Sequence, residues 1–402
     1  MSTAAPLHGI GRQLDTPAAL ARTIDELLVT RPEAPTVLAL GEPTHGVKAF
    51  PLLRNEMLAH LVERGFRSIA LESDFFAGAV VDAYVNGGEG EIEEVLATGF
   101  SHGFGAVPGN RELVEWLRAH NAGRAEGERV RFYGFDAPTE TGTAPSPRRW
   151  LVGVKDYLPT GLHPESSREL EGLLGDDGDW TNPAAMYDPG ASIGNSDRVR
   201  ALRIIADDLA SALRRAAPSL LPEGYSEAVG WARTAQALLR YHAAMARTAP
   251  DRVGVLMSLR TEMMADNLRA MVQRERHRGP SLVFAHNMHL KRGQSTLVFG
   301  AEKATWGSAG ALAARDLGER YVFVASDGSP SSEEGTLQGA LVSATKGRTL
   351  FPAEEARAAL PEGMRTGEAM VRGHIPLTRE DLDGADAVVF ITDTDGKQHQ
   401  YW

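Results

Sequence analysis

The stretch Thr36–Gly46, TVLALGEPTHG, decides how the rest of the chain is interpreted. It begins with an apolar run typical of a buried strand, turns at Gly41, and places Glu42 and His45 three residues apart before a helical pattern. Ligands usually bind where the strands of an open α/β sheet end. Because histidine titrates near neutral pH and a neighbouring carboxylate can fix its tautomer, this loop is a candidate general base. A solvated Glu and His in an ordinary loop would fit the same residues.

Apolar runs and helical patterns alternate along much of the chain. Runs that predict strands lie at 36–40, 67–72, 130–135, 281–285, 320–325 and 387–391. Patterns that predict helices lie at 16–29, 47–66, 77–85 and 111–121, with a loop-rich segment at 86–110. Alternation of this kind favours a parallel sheet. The predicted fold class is therefore α/β, with a central, mostly parallel sheet flanked by helices.

The middle of the chain departs from this alternation. Residues 139–200 are rich in Pro, Gly, Asp and Ser and predict a long irregular excursion, whereas 196–276 carry the apolar stripes of helices. We expect residues 1–138 and 277–402 to form the two parts of the α/β core. Residues 139–276 would then be a loop-rich and helical insertion that serves as a lid subdomain.

Ionisable residues follow the ends of four predicted strands. Glu42 and His45 follow the first of them, and Glu72, Asp136 and His286 follow the other three. A single acid after a strand is usually a loop residue or a helix cap. Because the carboxyl ends of parallel strands lie along one edge of a sheet, recurrence at four strands favours a shared crevice.

The segment AHNMHLKR at 285–292 adds His289 three residues after His286. Both can face the crevice, or one can be buried and hydrogen-bonded while the other is solvated. Together with Glu42, His45 and Glu72 they are also possible ligands of a divalent cation. The spacing is not that of HExxH, so we expect no metal and no other cofactor, and metal dependence stays an alternative.

Other motif matches are weaker evidence for a functional site. GASIG at 190–194 fits the G-x-S-x-G pattern of a nucleophilic serine, but a loop precedes it, so Ser192 is not expected to be a nucleophile. No glycine-rich phosphate loop follows a strand. His102, in SHGFG, is either a loop residue or a substrate contact. In WGSAG at 306–310, the small residues favour tight packing over ligand binding at a helix N-terminus.

The composition of the chain excludes several classes of function. A formal net charge of -11 over 402 residues argues against broad binding to nucleic acid or anionic membrane. The absence of cysteine excludes disulfides, thiolate metal sites and a cysteine nucleophile. No apolar run approaches the ~20 residues of a membrane span, and no signal peptide is evident. We expect a cytoplasmic protein that acts on a small molecule; the sequence does not indicate an oligomeric state.

Assembled in order, these motifs resemble those of the erythromycin esterase family. LGEPTHG at 40–46 is similar to the first family signature, and Arg54 follows on the next helix. The resemblance continues through GFRSIALESD at 65–74, FYGFDAP at 132–138, RTEMMADNL at 260–268, AHNMHLKR at 285–292 and GSAG at 307–310. One departure is Thr261, where the family commonly has Asp. The resemblance covers roughly residues 30–325 and, more weakly, the last strand.

The resemblance implies hydrolysis of a lactone or carboxylic ester without a serine nucleophile. His45 would be the general base on water, with Glu42 and Glu72 orienting the imidazole and the water. Further residues implied at the site are His286 as a catalytic residue, and Arg54, His289, Asp136, Asn287 and His102 as substrate-binding residues.

The resemblance does not identify the substrate, because proteins with similar sites can act on different substrates. A macrolide, as in antibiotic resistance, and another secondary metabolite both fit. Two alternatives use the same residues differently. One is acyl transfer, elimination or cyclisation in secondary metabolism, and the other is a metal-dependent or non-catalytic binder.

Overall fold

The computed structural model describes residues 6–139, 143–299 and 302–401. The chain divides into two compact units. Unit 1 comprises Met1–Asp136, Met264–Thr296 and Gly307–Trp402, and unit 2 comprises Ala137–Met263 and Leu297–Trp306. The boundaries expected from sequence were after residues 138 and 276; in the structure the second division falls earlier, within a long helix, and a short later segment joins unit 2.

The strands in chain order are β1 Arg12–Gln13, β2 Val37–Glu42, β3 Ser68–Asp74, β4 Arg131–Asp136, β5 Ser281–His286, β6 Gln294–Phe299, β7 Glu302–Gly307, β8 Tyr321–Gly328, β9 Arg348–Pro352 and β10 Ala387–Ile391. The helices are α1 Pro17–Val29, α2 Ala49–Glu63, α3 Ala77–Val85, α4 Ile92–Thr98, α5 Asn110–Asn121, α6 Arg148–Tyr157, α7 Leu170–Leu174, α8 Asp197–Ala216, α9 Tyr225–Met245, α10 Arg252–Glu275, α11 Asn287–Leu290, α12 Ala309–Leu317, α13 Leu337–Ala344 and α14 Ala353–Ala359.

The described residues of unit 1 form an eight-stranded sheet in the order β1-β9-β10-β8-β2-β5-β3-β4. The strands from β10 to β4 run parallel; at one edge β9 pairs antiparallel with β10, and β1 pairs antiparallel with β9. This confirms the predicted α/β class with a mostly parallel sheet. Strand β5 lies between β2 and β3, and Glu42 pairs in register with His286. The carboxyl ends of these three strands therefore adjoin.

Successive side chains of β2 enter two different cores, since strand side chains alternate between faces. Leu38 and Leu40 pack with residues of α2 and α5. Val37 and Ala39 pack with residues of α10 and α12 on the other face. Burial on both faces explains why the strands read as continuous apolar runs instead of alternating ones. It also makes their ends rigid supports for the loops that follow.

Unit 2 is helical in the region where helices were expected. Helices α8 and α9 pack along each other, and α6 packs on both. The apolar stripe of α8 is buried, including Leu202, Ile205, Leu209 and Leu213. Among the helices of the described residues, none is both long and apolar enough to cross a membrane.

Some expectations were wrong in detail. The segment 86–110, predicted to be loop-rich, contains α4, and 139–200, predicted to be irregular, contains α6 and α7 (residues 140–142 lie outside the described part). These helices are short and flanked by Gly, Pro and Asp, whose local preference for turns hides them. Strand β9 and the β6–β7 pair were not predicted, because runs of five or six residues carry little periodicity.

Candidate active site

The loop between β2 and α2 holds a histidine–carboxylate pair. His45 Nδ1 lies 2.8 Å from Glu42 Oε1. Glu42 is the last residue of β2 and is 5% exposed, so its position is set by the sheet. When Nδ1–H donates to this carboxylate, the lone pair of the ring is on Nε2. The ring therefore presents Nε2 as a proton acceptor.

Glu72, near the end of β3, lies between three groups of the neighbouring strand and loops. Its Oε2 accepts a hydrogen bond from the backbone N–H of His286 at 2.8 Å. Its Oε1 lies 3.2 Å from His289 Nε2 and 3.8 Å from His45 Nε2. Because β5 lies between β2 and β3, one carboxylate reaches the first motif and the His-Asn-Met-His segment at once.

The electrostatics of this cluster favour a protonated imidazole at His45. Burial by itself lowers the pKa of His45, but the charges of Glu72 and Glu42 outweigh it and the net pKa is raised. The charge of His102 opposes the carboxylates. Burial also raises the pKa of Glu42, whose Oε2 has no hydrogen-bond partner among the described residues. A proton shared by the pair is therefore held more tightly than in water.

His286 is held by backbone groups on both ring nitrogens. Its Nε2 lies 2.9 Å from the carbonyl oxygen of Pro43, and its Nδ1 accepts from the N–H of Met288 at 3.1 Å. A carbonyl only accepts, so Nε2 carries the hydrogen and the ring is neutral. Burial and the charges of His45 and His289 lower the pKa of His286 to about 3, although Glu72 and the Pro43 carbonyl act in the opposite direction. This geometry fits a structural link better than proton transfer.

Asn287 bridges strands at the same edge. Its Nδ2 donates to the carbonyl of Ser326 at 2.8 Å, and its Oδ1 accepts from the N–H of Ser326 at 3.2 Å. A Cβ at Gly41 would come within 2.0 Å of that Oδ1, so the glycine of the first motif makes room for the amide. The side chain of Asn287 thus binds the protein itself.

Arg54 is a buried cation on α2, 1% exposed. Its Nη1 donates to Asn110 Oδ1 at 2.9 Å, its Nε and Nη2 donate to Asn55 Oδ1, and Nη2 also donates to the carbonyl of Gly109. These bonds use four of the five guanidinium hydrogens, which leaves one on Nη1. Burial, partly offset by Glu42, lowers the pKa of Arg54 to about 9.

His102 and Asp136, predicted separately, contact each other. His102 Nε2 lies 3.0 Å from Asp136 Oδ2, and the Asp136 side chain is fully buried. His102 has a φ of 57°, unusual for a residue other than glycine. Its ring lies 5.4 Å from that of Phe104, which in turn lies 4.7 Å from the ring of His45.

A small cavity of about 20 Å³ adjoins these groups, and we call it the inner cavity. It is lined by Glu42, His45, Pro51, Arg54, Leu71, Glu72, Phe100, Phe104, Val107, Asn110, Phe284 and Ala285. Ionisable groups thus share a wall with aromatic and aliphatic ones, an arrangement typical of small-molecule sites. The low local dielectric strengthens each charge interaction within it.

The predicted residues are therefore largely brought together, and sequence analysis missed the apolar lining. Phe100 and Phe104 flank the SHGFG segment that was considered for His102 alone. Asn110, which binds Arg54, begins α5 and follows no recognisable pattern. Aromatic residues in a loop carry no sequence signal for a cavity wall, because only the fold decides what they face.

The described residues contain no group of three or more His, Asp or Glu side chains arranged to hold a metal ion. Ser192 follows no strand; it lies between two short 3-10 turns and accepts the N–H of Gly194, as expected for a chance motif match. At Gly310 an added Cβ would lie 1.8 Å from the carbonyl of Leu290, which confirms tight packing at the GSAG segment.

Comparison with known proteins agrees with this fold. Residues 61–347 match the model of the erythromycin esterase family, a span that contains Glu72, Asp136, His286 and His289. Over 108 residues the chain is 32% identical to erythromycin esterase type II of Escherichia coli. That match covers 27% of this chain and only 25% of the relative, so the chain matches about a quarter of that curated relative's length.

Three solved structures share the fold. A Bacillus cereus protein superposes with a TM-score of 0.72 at 16% identity, covering 96% of each chain. A mutant of erythromycin esterase EreC in its open conformation gives 0.66 at 18%, again over 96% of each chain. A succinoglycan biosynthesis protein gives 0.64 at 16%, over 97% of this chain and 96% of its own.

The sheet and the histidine–carboxylate cluster at its carboxyl edge place the protein among α/β proteins with a site at the strand ends. The chain belongs to the erythromycin esterase family. Membership confirms the resemblance drawn from the motifs.

Proposed function

We propose that this protein hydrolyses a carboxylic ester or lactone, with His45 as the general base that activates water. The observation that carries the proposal is the 2.8 Å contact between His45 Nδ1 and Glu42, which leaves Nε2 as the proton acceptor beside Glu72. Such a pair is the standard way to orient an imidazole for proton transfer. The described residues offer no Ser in a nucleophile elbow, and the chain has no Cys.

In the proposed reaction, a water oxygen attacks the ester carbonyl carbon while His45 Nε2 takes a proton from that water. The carbonyl oxygen becomes an oxyanion in the tetrahedral intermediate. Collapse of the intermediate restores the carbonyl and breaks the bond to the alcohol oxygen, which takes the proton back from His45. The products are a carboxylic acid and an alcohol, joined in one molecule when the substrate is a lactone.

The two carboxylates have separate roles in this scheme. Glu42 accepts the Nδ1–H of His45 and stabilises the imidazolium that forms during attack. Glu72, 3.8 Å from Nε2, is at a distance that suits a carboxylate holding the attacking water. Its other oxygen is fixed by the backbone of β5, which keeps it from turning away.

Arg54 is suited to the developing oxyanion. It retains one guanidinium hydrogen beyond its four protein hydrogen bonds and lines the inner cavity. A donor of this kind in a partly dry site contributes most when charge develops on the substrate. His289, whose Nε2 lies 3.2 Å from Glu72, instead holds that carboxylate in place.

The remaining predicted residues receive supporting roles in the proposal. His286 and Asn287 are positioning residues, because their polar atoms bind backbone groups of the loop after β2 and of β8. Asp136 holds His102, whose charge acts on His45. We assign this second pair to tuning the base, and direct contact of His102 with substrate is the alternative.

Hydrolysis in ¹⁸O-labelled water tests the proposal. The protein is incubated with three substrates: a simple aryl ester, a small lactone and a macrolide lactone. The macrolide is included because of the names of the relatives. We expect the carboxylic acid product to carry one ¹⁸O. A product that carries no ¹⁸O would instead support acyl transfer, elimination or cyclisation by the same base.

Chelation tests the metal-dependent alternative in the same assay. Because Glu42 and Glu72 are already engaged with histidines and backbone, we expect turnover to be unchanged after treatment with a strong chelator. Loss of turnover that is restored by a divalent cation would contradict a purely histidine-based mechanism.

A further inference from the structure

A second pocket, of about 290 Å³, also borders the base, and we call it the outer pocket. It is lined by Thr44, His45, Arg372, Gly373, Gln398 and Tyr401. His45 lines both this pocket and the inner cavity. A substrate whose ester bond is attacked at His45 can therefore extend into the outer pocket.

One wall of the outer pocket is a turn that the fold holds rigidly. His374 Nε2 lies 2.8 Å from Asp327 Oδ1, and both side chains are fully buried. His374 Nδ1 accepts from the N–H of Met370 at 2.7 Å, which closes the turn around Arg372. The N–H of Ile375 donates to the Pro43 carbonyl at 2.9 Å, so the turn is tied to the loop of the base.

A second wall is formed by residues of the segment 394–401, which also binds the loop that carries His45. Gln398 Nε2 donates to the carbonyl of His45 at 2.9 Å, and the N–H of His399 donates to the carbonyl of Gly46 at 2.8 Å. Gly46 has a φ of +82°, and a Cβ there would lie 2.6 Å from the His399 carbonyl oxygen. The ring of Tyr401 meets that of His45 edge-on at 6.2 Å.

Arg372 is the chemically decisive group of this pocket. It is exposed, lines the pocket, and forms no ion pair with the residues that the structure describes. A chain of net charge -11, with Glu42 and Glu72 close by, repels an anionic substrate unless a cation is provided for it. The turn fixes the position of the Arg372 backbone at the pocket, and a guanidinium can bind a carboxylate or phosphate through two parallel hydrogen bonds.

We infer that the outer pocket binds an anionic group of the substrate, a carboxylate or a phosphate, through Arg372, and so selects acidic esters. That the substrate is an ester rests on the proposed function, whereas the anion-binding site is defined by its own residues whether or not the protein hydrolyses esters. Tyr401 contributes an aromatic edge and a neutral hydroxyl. Burial and the nearby carboxylates raise the pKa of Tyr401 to about 12, so the hydroxyl stays protonated.

Binding of product-like ligands gives the first test. Isothermal titration calorimetry compares benzoate and phenyl phosphate with benzamide, which has the ring of benzoate without the charge. We expect an anion to bind about 10- to 100-fold more tightly than benzamide, and Arg372→Gln to remove the difference. Lys397→Gln is the matched control, since Lys397 is an exposed cation of the same segment as Tyr401 that does not line the pocket. The benzoate and phenyl phosphate arms decide between the two anions.

Kinetics gives the second test with 4-carboxyphenyl acetate and its neutral 4-carbamoylphenyl counterpart. We expect Arg372→Gln to lower the ratio of their kcat/KM values about tenfold or more, and Lys397→Gln to leave that ratio unchanged. Arg372-dependent binding of an anion without any ester hydrolysis would support the pocket and refute the proposed function. Hydrolysis with no preference, together with equal or no binding of all three ligands, would refute the pocket alone.

Discussion

At the scale of single residues, the site depends on how one imidazole is held. His45 receives a carboxylate on Nδ1 and faces a second carboxylate from Nε2, while the neighbouring His286 has both nitrogens bound to backbone. Two histidines at the same strand ends therefore have opposite character. The pKa of His45 is raised and that of His286 is lowered, because carboxylates surround the first and burial dominates at the second.

Replacement of His45 by alanine removes the proposed base. We expect His45→Ala to lower kcat/KM about 10²- to 10⁴-fold, roughly 3–5 kcal/mol of transition-state stabilisation, on an ester that the unaltered protein hydrolyses. His277→Ala is the control, since His277 is an exposed histidine outside the site. Near-normal turnover by the His45 variant, with the fold intact by circular dichroism, would remove His45 from the mechanism.

Replacement of Glu72 by glutamine moves the pH dependence. The base acts when His45 is unprotonated, so kcat/KM rises with pH through its pKa, which the carboxylates hold above the ordinary value of 6.5. Glu72→Gln removes one of those charges, so we expect the rising limb of the pH–rate profile to shift toward lower pH, with a lower plateau. Glu56→Gln, at a carboxylate paired with Arg348, should leave the limb in place. A shift toward higher pH would contradict the proposed charge interaction.

At the scale of elements, the order of strands brings the site residues together. Strand β5 is inserted between β2 and β3, although long stretches of chain separate them in sequence. The inserted strand supplies the backbone N–H of His286 that fixes Glu72, and Asn287, directly after the strand, supplies the amide that binds β8. Gly41 allows this contact, because any side chain there would occupy the space of the amide oxygen.

Alanine at position 41 tests that contact. Its Cβ would meet Asn287 Oδ1 at 2.0 Å and the Asn287 Cα at 3.2 Å, so the strand ends must shift. We expect Gly41→Ala to reduce the free energy of unfolding by about 1–3 kcal/mol, as overpacking does, measured by urea denaturation. Gly127→Ala, where an added Cβ meets nothing within 4 Å, should change it by less than about 0.5 kcal/mol. Equal stability of the two variants would show that the Asn287 side chain can adopt another position without loss of stability.

At the scale of the whole molecule, each of the two units contains a buried, neutral histidine. In unit 2, His242 Nε2 lies 2.9 Å from the carbonyl oxygen of Pro145, and burial lowers the pKa of His242. In unit 1, the pKa of His286 is lowered to about 3. Between the ordinary pKa of 6.5 and the lowered values, the unfolded chain binds protons that the folded chain does not. The contribution of these two histidines to folding stability is therefore lost as the pH falls below about 6.5.

Replacement of His242 by glutamine separates the contribution of His242 to the pH dependence of stability from that of His286. The glutamine amide can donate to the Pro145 carbonyl but does not titrate. We expect the thermal midpoint of His242→Gln to depend less on pH between about 6.5 and 4 than that of the unaltered protein. Differential scanning calorimetry at several pH values measures this, and an equal or steeper dependence in the variant would contradict a neutral buried His242. The raised pKa values of His45 and Glu42 act with the opposite sign, but both groups are present in the two proteins that are compared, so their effect cancels in the difference.

The chain's local patterns were enough to predict the parallel strands, the helices of α8 to α10, and the acids and histidines at the strand ends. Each of these is encoded within a few residues: an apolar run, a helical stripe, or a polar residue directly after a strand. Family motifs added the proposed roles of Glu42, His45 and Glu72. Helices α4 and α6 were not predicted because turn-forming residues border them on both sides.

Only the tertiary structure decided which of these residues meet. The insertion of β5 between β2 and β3, the closure of the inner cavity by Phe104, and the approach of Arg372 and Tyr401 to His45 depend on packing between distant segments. Periodicity describes which face of an element is buried but not which partner buries it. The sequence alone thus determined that an acid and a histidine follow the first long strand, and the fold determined the neighbours of that histidine and the two pockets it borders.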